Sequence, residues 1–86
     1  MKYYKRTWDE LRGDEFDDWG TSVWYFETDE SGLPTRQIEK YSNNRKLKYS
    51  LTEPEDEYGC IGDQELDLEE FAEFVISKEE FEKEWN

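Results

Sequence analysis

Fifteen aromatic side chains set the limits on how this chain can fold: four Trp, six Tyr and five Phe among 86 residues. Apolar residues of all kinds make up only 34% of the sequence, a fraction low enough to be compatible with disorder. Each large ring can bury roughly 150–250 Å² of surface, so a few rings can replace many aliphatic side chains in a core. The sequence therefore predicts one small folded domain, residues 1–86, with a thin, aromatic-rich core.

Strand-forming residues are concentrated in four segments of the first part of the chain. The strongest, residues 21–28, has apolar side chains on both faces, as expected for a central strand covered on both sides. Asp29 and Gly32 predict a turn after it, and Pro34 fits the start of the next strand, where its missing N–H is tolerated. The four strands are predicted at residues 2–8, 21–28, 35–42 and 45–51.

The last two strands predict a hairpin with a definite register. Asn43-Asn44 fits a two-residue turn, because asparagine tolerates the left-handed backbone conformation. The predicted pairs are Ser42 with Arg45, Lys40 with Leu47, Glu39 with Lys48, and Ile38 with Tyr49. This register puts the apolar residues of both strands on one face of the sheet, namely Ile38, Leu47, Tyr49 and Leu51.

The C-terminal part contains the same helix-start signal twice. Each copy has an N-cap residue, Asp67 or Ser77, an acid three positions later and an apolar pair that spans the cap. The first copy predicts a short helical turn, and the second a helix that presents Phe81 and Trp85 to the sheet. The predicted fold is α+β: a four-stranded antiparallel sheet, mostly a meander, with the turn and the C-terminal helix packed on one face.

Negative charge is concentrated at one end of the chain. Residues 1–52 hold ten acids and nine bases, whereas residues 53–86 hold fourteen acids and two bases. Such a chain repels nucleic acid and anionic membranes and attracts cationic surfaces. Arg36 and Lys40 share a face with Ile38, and buried bases need carboxylate partners, so we expect the acidic segment to cross the sheet and pair with them.

The residues present exclude several kinds of chemistry. The chain has no histidine and a single cysteine, Cys60, which removes the usual zinc ligands and the commonest general base. The glycines are scattered and form no phosphate-binding loop. A calcium loop that starts at Asp14 fails, since Phe16 and Trp19 stand where it needs an acid and a glycine. The sequence predicts no enzyme activity, no catalytic residue, no cofactor and no metal site.

Two acidic segments are the candidate partner-binding sites. In the first, residues 9–20, Trp19 is the ring we expect to be most exposed, either anchoring the loop or serving a basic protein partner as an aromatic anchor. The second covers residues 53–73, and residues 58–62 within it are expected to tuck against the sheet. The candidate residues are Asp14, Glu15, Phe16, Asp17, Asp18, Trp19, Glu55, Asp56 and Glu57.

Two other functions fit the sequence. Exposed aromatic rings could bind a small ligand or a carbohydrate, which would need a concave pocket lined by two or more rings. Alternatively, the acidity could serve only the solubility of an uncharacterised housekeeping domain. The first residues lack an apolar signal-peptide core, and no segment approaches the roughly 20 apolar residues of a membrane span, so we expect a cytoplasmic protein. The oligomeric state stays open.

The closing residues 76–85, Ile-Ser-Lys-Glu-Glu-Phe-Glu-Lys-Glu-Trp, follow a strand that contains Arg36-Gln37-Ile38-Glu39. This pairing resembles a family of small uncharacterised bacterial domains that end in I-S-x-E-E-F-E-x-x-W. The resemblance covers residues 21–86 and implies the strand and the capped helix, without a catalytic residue. By size and acidity alone, the chain is also similar to immunity proteins of bacterial toxin systems and to inhibitors.

Overall fold

The computed structural model describes residues 1–8, 17–62 and 64–86. It confirms the α+β class, with a four-stranded antiparallel sheet and a C-terminal helix that contacts the sheet. The strands are β1 (Lys2–Trp8), β2 (Ser22–Thr28), β3 (Pro34–Tyr41) and β4 (Lys46–Ser50), and the helices are α1 (Leu68–Phe71) and α2 (Lys78–Trp85). Two short 3₁₀ helices span Asp17–Trp19 and Ala72–Phe74.

The strands follow one another across the sheet in chain order, β1-β2-β3-β4, as a meander. Alternate side chains point to opposite faces of the sheet. Tyr25 of β2 pairs with Ile38 of β3, and both contact Phe81 of α2, so we name this side the α2 face. Tyr4 and Phe26 lie on the other side, which we name the α1 face because it packs against α1.

The turn between β2 and β3 has the predicted residues in the predicted roles. The Asp29 side chain accepts hydrogen bonds from the backbone N–H groups of Ser31 and Leu33, both at 3.0 Å. Gly32 takes a positive φ of 95°, which a side chain would disfavour. The turn leads directly into Pro34 at the first position of β3.

The turn between β3 and β4 differs from the prediction by one residue. Tyr41 and Arg45 close it, with the Tyr41 N–H donating to the Arg45 carbonyl over 2.8 Å, so residues 42–44 form a three-residue loop. The Asn44 N–H also donates to the Tyr41 carbonyl, and Asn44 takes the left-handed conformation with φ of 74°. This is the common three-residue hairpin, a β-turn followed by one left-handed residue, rather than the predicted two-residue turn.

The predicted register of this hairpin is therefore wrong. Glu39 pairs with Leu47 and Ile38 pairs with Lys48. A slip of one residue sends every side chain of a strand to the other face. Leu47 and Tyr49 consequently lie on the α1 face with Tyr41, away from Ile38.

The C-terminal segment wraps around the sheet. Phe71 of α1 packs on the α1 face, whereas Phe81 of α2 packs on the α2 face. Between them the chain passes the outer edge of β1. There Val75 forms an antiparallel β-bridge with Tyr4, and the Ile76 N–H donates to the Tyr3 carbonyl over 3.0 Å. The expectation that the helical turn and the helix share one face is wrong, because this edge crossing separates them.

Both predicted helix caps form. The Asp67 carboxylate accepts hydrogen bonds from the backbone N–H groups of Glu69 and Glu70, at 3.1 and 3.3 Å. The Ser77 hydroxyl accepts from the Glu80 N–H at 3.1 Å. No helix in the described ranges is long and apolar enough to cross a bilayer.

Aromatic rings dominate the core on both faces, as the composition predicts. The α2 face buries Tyr25, Ile38 and Phe81. The α1 face has two clusters, one of Tyr4, Phe26 and Phe71, the other of Trp19, Tyr41, Leu47 and Tyr49. The second cluster underlies the acidic segment that follows β4.

Candidate functional site

Residues 53–62, the acidic loop, fold back on themselves after β4. The Ile61 N–H donates to the Pro54 carbonyl over 2.8 Å, and the Asp56 N–H donates to the Gly59 carbonyl over 3.0 Å. These two bonds pair the two arms of the loop with each other and make it a small hairpin. Its acidic side chains therefore project from a defined backbone rather than from an extended connection.

Asp56 holds the tip of the acidic loop together. One oxygen of its carboxylate accepts from the Tyr49 hydroxyl at 3.0 Å, the Tyr58 N–H at 2.8 Å and the Gly59 N–H at 3.1 Å. Burial raises the pKa of Tyr49, and its hydrogen bond to the Asp56 carboxylate raises that pKa further. Asp56 thus ties the loop to β4, and its role within the chain is structural.

The underside of the acidic loop packs on the core, as predicted for residues 58–62. Tyr58 and Ile61 lie against the cluster of Trp19 and Tyr49. The Gly62 N–H donates to the Gln37 side-chain oxygen over 2.9 Å, which attaches the loop to β3. The loop is therefore fixed to both strands of the β3-β4 hairpin.

Trp19 is buried, and the expectation that it is exposed is wrong. Only 6% of its surface is accessible, and its ring lies 5.2 Å from Tyr41 and 5.1 Å from Tyr58 between centroids. The guanidinium of Arg45 covers the Trp19 ring at 4.8 Å. Trp19 anchors residues 17–19 to the domain and presents no free ring to a partner.

The burial of Trp19 brings two of the predicted segments together. Asp18, which is exposed, precedes Trp19, and Trp19 contacts Tyr58 of the acidic loop. Asp17 lies in the same 3₁₀ helix. Asp14, Glu15 and Phe16 fall outside the described residues.

The outer side of the acidic loop carries three carboxylates that the domain does not use. Glu53, Glu55 and Glu57 are exposed. Within residues 1–8, 17–62 and 64–86, none of the three forms an ion pair. Glu53 lies at the start of the second predicted segment, although it was not among the candidate residues named there. These three side chains are the candidate site.

The carboxylates of α2, in contrast, are paired with the sheet. Arg36 of β3 lies between Glu27 of β2, at 2.6 Å, and Glu82 of α2, which also accepts from it. The Arg36 guanidinium stacks on the rings of Phe81 and Trp85 at 4.9 and 5.0 Å. The predicted pairing of Arg36 with the C-terminal acidic segment is confirmed.

Further pairs hold α2 along its length. Glu84 meets Lys40 at 3.5 Å and Lys46 at 3.3 Å, and Glu80 meets Lys5 at 3.8 Å. Lys46 also donates to the Glu84 backbone carbonyl over 2.9 Å, where the negative end of the helix dipole favours a cation. The predicted partner for Lys40 is therefore present.

Hydrogen bonds and burial shift the pKa values of these carboxyls. Burial alone would raise the pKa of Glu27, but hydrogen bonds from Arg36 and Thr35 outweigh it and hold that pKa below the ordinary value of 4.5. The Arg36 hydrogen bond lowers the pKa of Glu82. Desolvation alone would raise the pKa of Glu84, but the hydrogen bond from Lys46 outweighs it, and the pKa is lowered overall. All three carboxylates are stabilised in their charged form by the sheet's own bases.

Glu27 and Glu39 are two buried acids. Glu39 was predicted to pair with Lys48 but pairs with Leu47, and Glu27 had no predicted role. Glu39 accepts from the Gln37 amide at 2.9 Å and from the Tyr41 hydroxyl at 2.7 Å. The two partners of Glu39 lie on its own strand, two residues to either side, whereas Glu27 is bonded across strands to Thr35 and Arg36 of β3. No group of three or more His, Cys, Asp or Glu side chains in the described part of the chain is arranged to hold a metal ion.

No protein-family model matches the sequence, and no curated protein and no solved structure matches it. The resemblance of the β3 strand and the closing helix to small bacterial domains stays a prediction.

Proposed function

We propose that this protein is a small, non-enzymatic, acidic interaction module of the cytoplasm that covers a basic surface of a partner protein. An immunity protein or an inhibitor works in this way. The partner would be nuclease-like or nucleic-acid-binding, because the surfaces that bind phosphates carry clustered arginine and lysine. The observation that supports the proposal is the acidic loop, with Glu53, Glu55 and Glu57 exposed and unpaired among the described residues.

The fixed backbone of the acidic loop favours this function over a purely solubilising role. Ordering a flexible loop on binding costs free energy, and a loop already held by Asp56 and Tyr58 avoids most of that cost. Charges held in one place also give a partner a defined orientation. Solubility requires neither the hydrogen bonds of Asp56 nor the packing of Tyr58.

The proposed mechanism is occlusion guided by long-range attraction. With a net charge of −13, the protein draws a basic surface toward it before contact. The unpaired glutamates of the acidic loop then meet arginine and lysine side chains that would otherwise contact phosphates. Asp18, beside the anchored Trp19, adds a further exposed carboxylate near the loop.

A differential capture experiment tests this proposal. The wild-type protein and a loop variant, Glu53→Gln/Glu55→Gln/Glu57→Gln, are each immobilised and exposed to cytosol of the source cell. The proteins that each one retains are then compared. A control variant, Glu65→Gln/Glu69→Gln/Glu73→Gln, removes the same charge from exposed positions that also lack ion pairs among the described residues. We expect a basic nucleic-acid-binding protein that the wild type and the control variant retain and the loop variant loses.

Two results would contradict the proposal. If both variants lose the same proteins equally, net charge matters rather than the acidic loop. If neither variant changes what is retained, the loop carboxylates take no part in binding, and the solubility interpretation is favoured instead.

A further inference from the structure

A concave feature lies on the α1 face, separate from the acidic loop. It is a cavity of about 210 Å³ at the β1-β2 side of that face. The described residues that line it are four aromatic rings and one arginine: Arg6, Trp8, Trp24, Phe26 and Phe71. We name it the ring pocket.

The rings of the ring pocket form a continuous wall. Trp8 and Trp24 lie 6.3 Å apart between centroids, Trp24 and Phe26 lie 6.0 Å apart, and Phe26 meets Phe71 edge to face at 5.9 Å. Trp8, at the end of β1, is 41% exposed. Among the described residues that line the pocket, Trp8 is the most exposed and forms the rim.

Trp24 and Arg6 at the ring pocket have polar partners within the domain. The Trp24 indole N–H donates to the Ser22 hydroxyl over 2.7 Å. Arg6 pairs with Glu70 at 2.9 Å, while its guanidinium stacks 5.6 Å from the Trp8 ring and 5.1 Å from the Phe71 ring. A carbohydrate needs several convergent hydrogen-bonding groups, whereas the described walls consist mainly of aromatic rings and carry few polar groups. The walls instead offer ring faces, ring edges and a flat cation.

We propose that the ring pocket binds a small, uncharged aromatic molecule of one or two rings. An apolar protein cavity of about 150 Å³ is large enough to take up benzene. A cavity of about 210 Å³ has room for a bicyclic ring such as indole. An aromatic guest gains edge-to-face contacts with the wall rings and a cation–π contact with Arg6, which an aliphatic guest of the same size lacks. The strong negative charge of the chain disfavours an anionic guest.

Titration followed by NMR tests this proposal with four probes. Indole and phenol are the expected ligands, cyclohexanol is a phenol-sized alcohol without a ring face, and methyl glucoside represents carbohydrates. We expect saturable shifts of the Trp8 and Trp24 indole N–H signals with indole, with a Kd of about 0.1–1 mM as is usual for a ligand of this size. Phenol should bind several-fold more tightly than cyclohexanol.

A rim variant locates the binding. Trp8→Ala removes an exposed ring at a strand end, so the fold should survive, which the amide spectrum checks. We expect indole binding to weaken by about fivefold or more. Leu51→Ala, at another exposed apolar residue, is the matched control and should leave binding unchanged. Arg6→Met keeps the apolar stem and should reduce the preference for phenol over cyclohexanol.

Each remaining outcome overturns the proposal. Absence of saturable shifts with indole would mean that the pocket takes no such ligand. Equal indole affinity in Trp8→Ala would place any binding elsewhere. Cyclohexanol or methyl glucoside binding as tightly as phenol would contradict the aromatic ligand class. Since the loop variant leaves the ring pocket intact, it should bind indole normally, so this test and that of the acidic loop fail independently.

Discussion

Two acidic regions of this protein behave in opposite ways. Helix α2 presents Glu80, Glu82 and Glu84 to bases on the sheet, and all three form ion pairs. The acidic loop presents Glu53, Glu55 and Glu57 to solvent, and none of them pairs within the described residues. Sequence composition gives the two regions the same character, and the fold gives them different roles.

The contrast narrows the surface that a partner can use. Residues 53–86 carry almost all of the net charge of the chain. Four of their carboxylates, those of Glu70, Glu80, Glu82 and Glu84, hold the C-terminal segment to the sheet. The acidity is therefore partly structural. Among the carboxylates that stay unpaired, those of the acidic loop project from a backbone fixed to the β3-β4 hairpin, and for this reason we propose the loop for recognition.

The largest effect should come from breaking the pairing on the α2 face. Arg36→Met keeps the apolar stem under Phe81 and Trp85 but leaves Glu27, which is buried, without its cationic partner. We expect the free energy of unfolding to fall by about 2–4 kcal/mol at neutral pH, since an uncompensated buried charge is costly. Urea denaturation of the wild type and the variant measures this difference in the free energy of unfolding.

Arg45→Met is the matched control for Arg36. Arg45 also covers aromatic rings, but it is exposed and lies outside the α2 face. We expect a loss of less than about 1 kcal/mol, the usual scale of an exposed cation–π contact. If the two variants lose equal stability, the account of the buried pairs is wrong. The same conclusion would follow if high salt alone reproduced the Arg36→Met loss in the wild type.

The α2 pairing should also depend on pH in a defined direction. The pKa values of Glu27, Glu82 and Glu84 are lower in the folded state than the ordinary value of 4.5. Their contribution is fully present above that value and is lost as the pH falls through the lowered pKa values of the folded state. Thermal denaturation should show the stability difference between wild type and Arg36→Met shrinking progressively as the pH falls below 4.5. A gap that stays constant down to pH 3 would show that the carboxylates contribute little.

A smaller effect is expected when the acidic loop loses its internal support. Asp56→Ala removes the acceptor of three hydrogen bonds, so the free energy of unfolding should fall by about 1–2 kcal/mol. The amides of Tyr58 and Gly59 should exchange faster with solvent. Glu57→Ala, one residue away, should change stability by no more than about 0.5 kcal/mol. Equal effects of the two substitutions would mean that Asp56 does not hold the loop.

The smallest effect on stability should come from the loop variant. Replacing Glu53, Glu55 and Glu57 with glutamine breaks no ion pair among the described residues and relieves repulsion between like charges. We expect a change within about 0.5 kcal/mol, in the stabilising direction, by urea denaturation. A loss above about 1 kcal/mol would show that the loop glutamates are structural, as those of α2 are.

Local signals in the sequence predicted the elements well. The aromatic strands, the Asp29 turn and the caps of Asp67 and Ser77 each depend on a few neighbouring residues, and all are present. The pairing of Arg36 with the C-terminal acids was also predictable. A base on an apolar face needs a carboxylate, and residues 53–86 supply most of them.

What failed depends on geometry that spans several elements. The hairpin register turned on one loop residue, because Ser42 joins Asn43 and Asn44 in the turn and no short-range signal separates the two loop lengths. The burial of Trp19 requires the acidic loop to fold back so that Tyr58 can meet it. The separation of α1 from α2 requires Val75 to pass the edge of β1. None of these contacts is encoded within one segment.

The association rate with a captured partner, measured at two salt concentrations, shows whether recognition depends on the acidic loop. At low salt the loop variant should associate roughly tenfold more slowly than the wild type, and the control variant within about twofold of it. Near 0.5 M salt, where exposed charges are screened, the three rates should converge to within about twofold. Equal slowing of both variants at low salt, or rates that do not depend on salt, would contradict the assignment of recognition to the acidic loop.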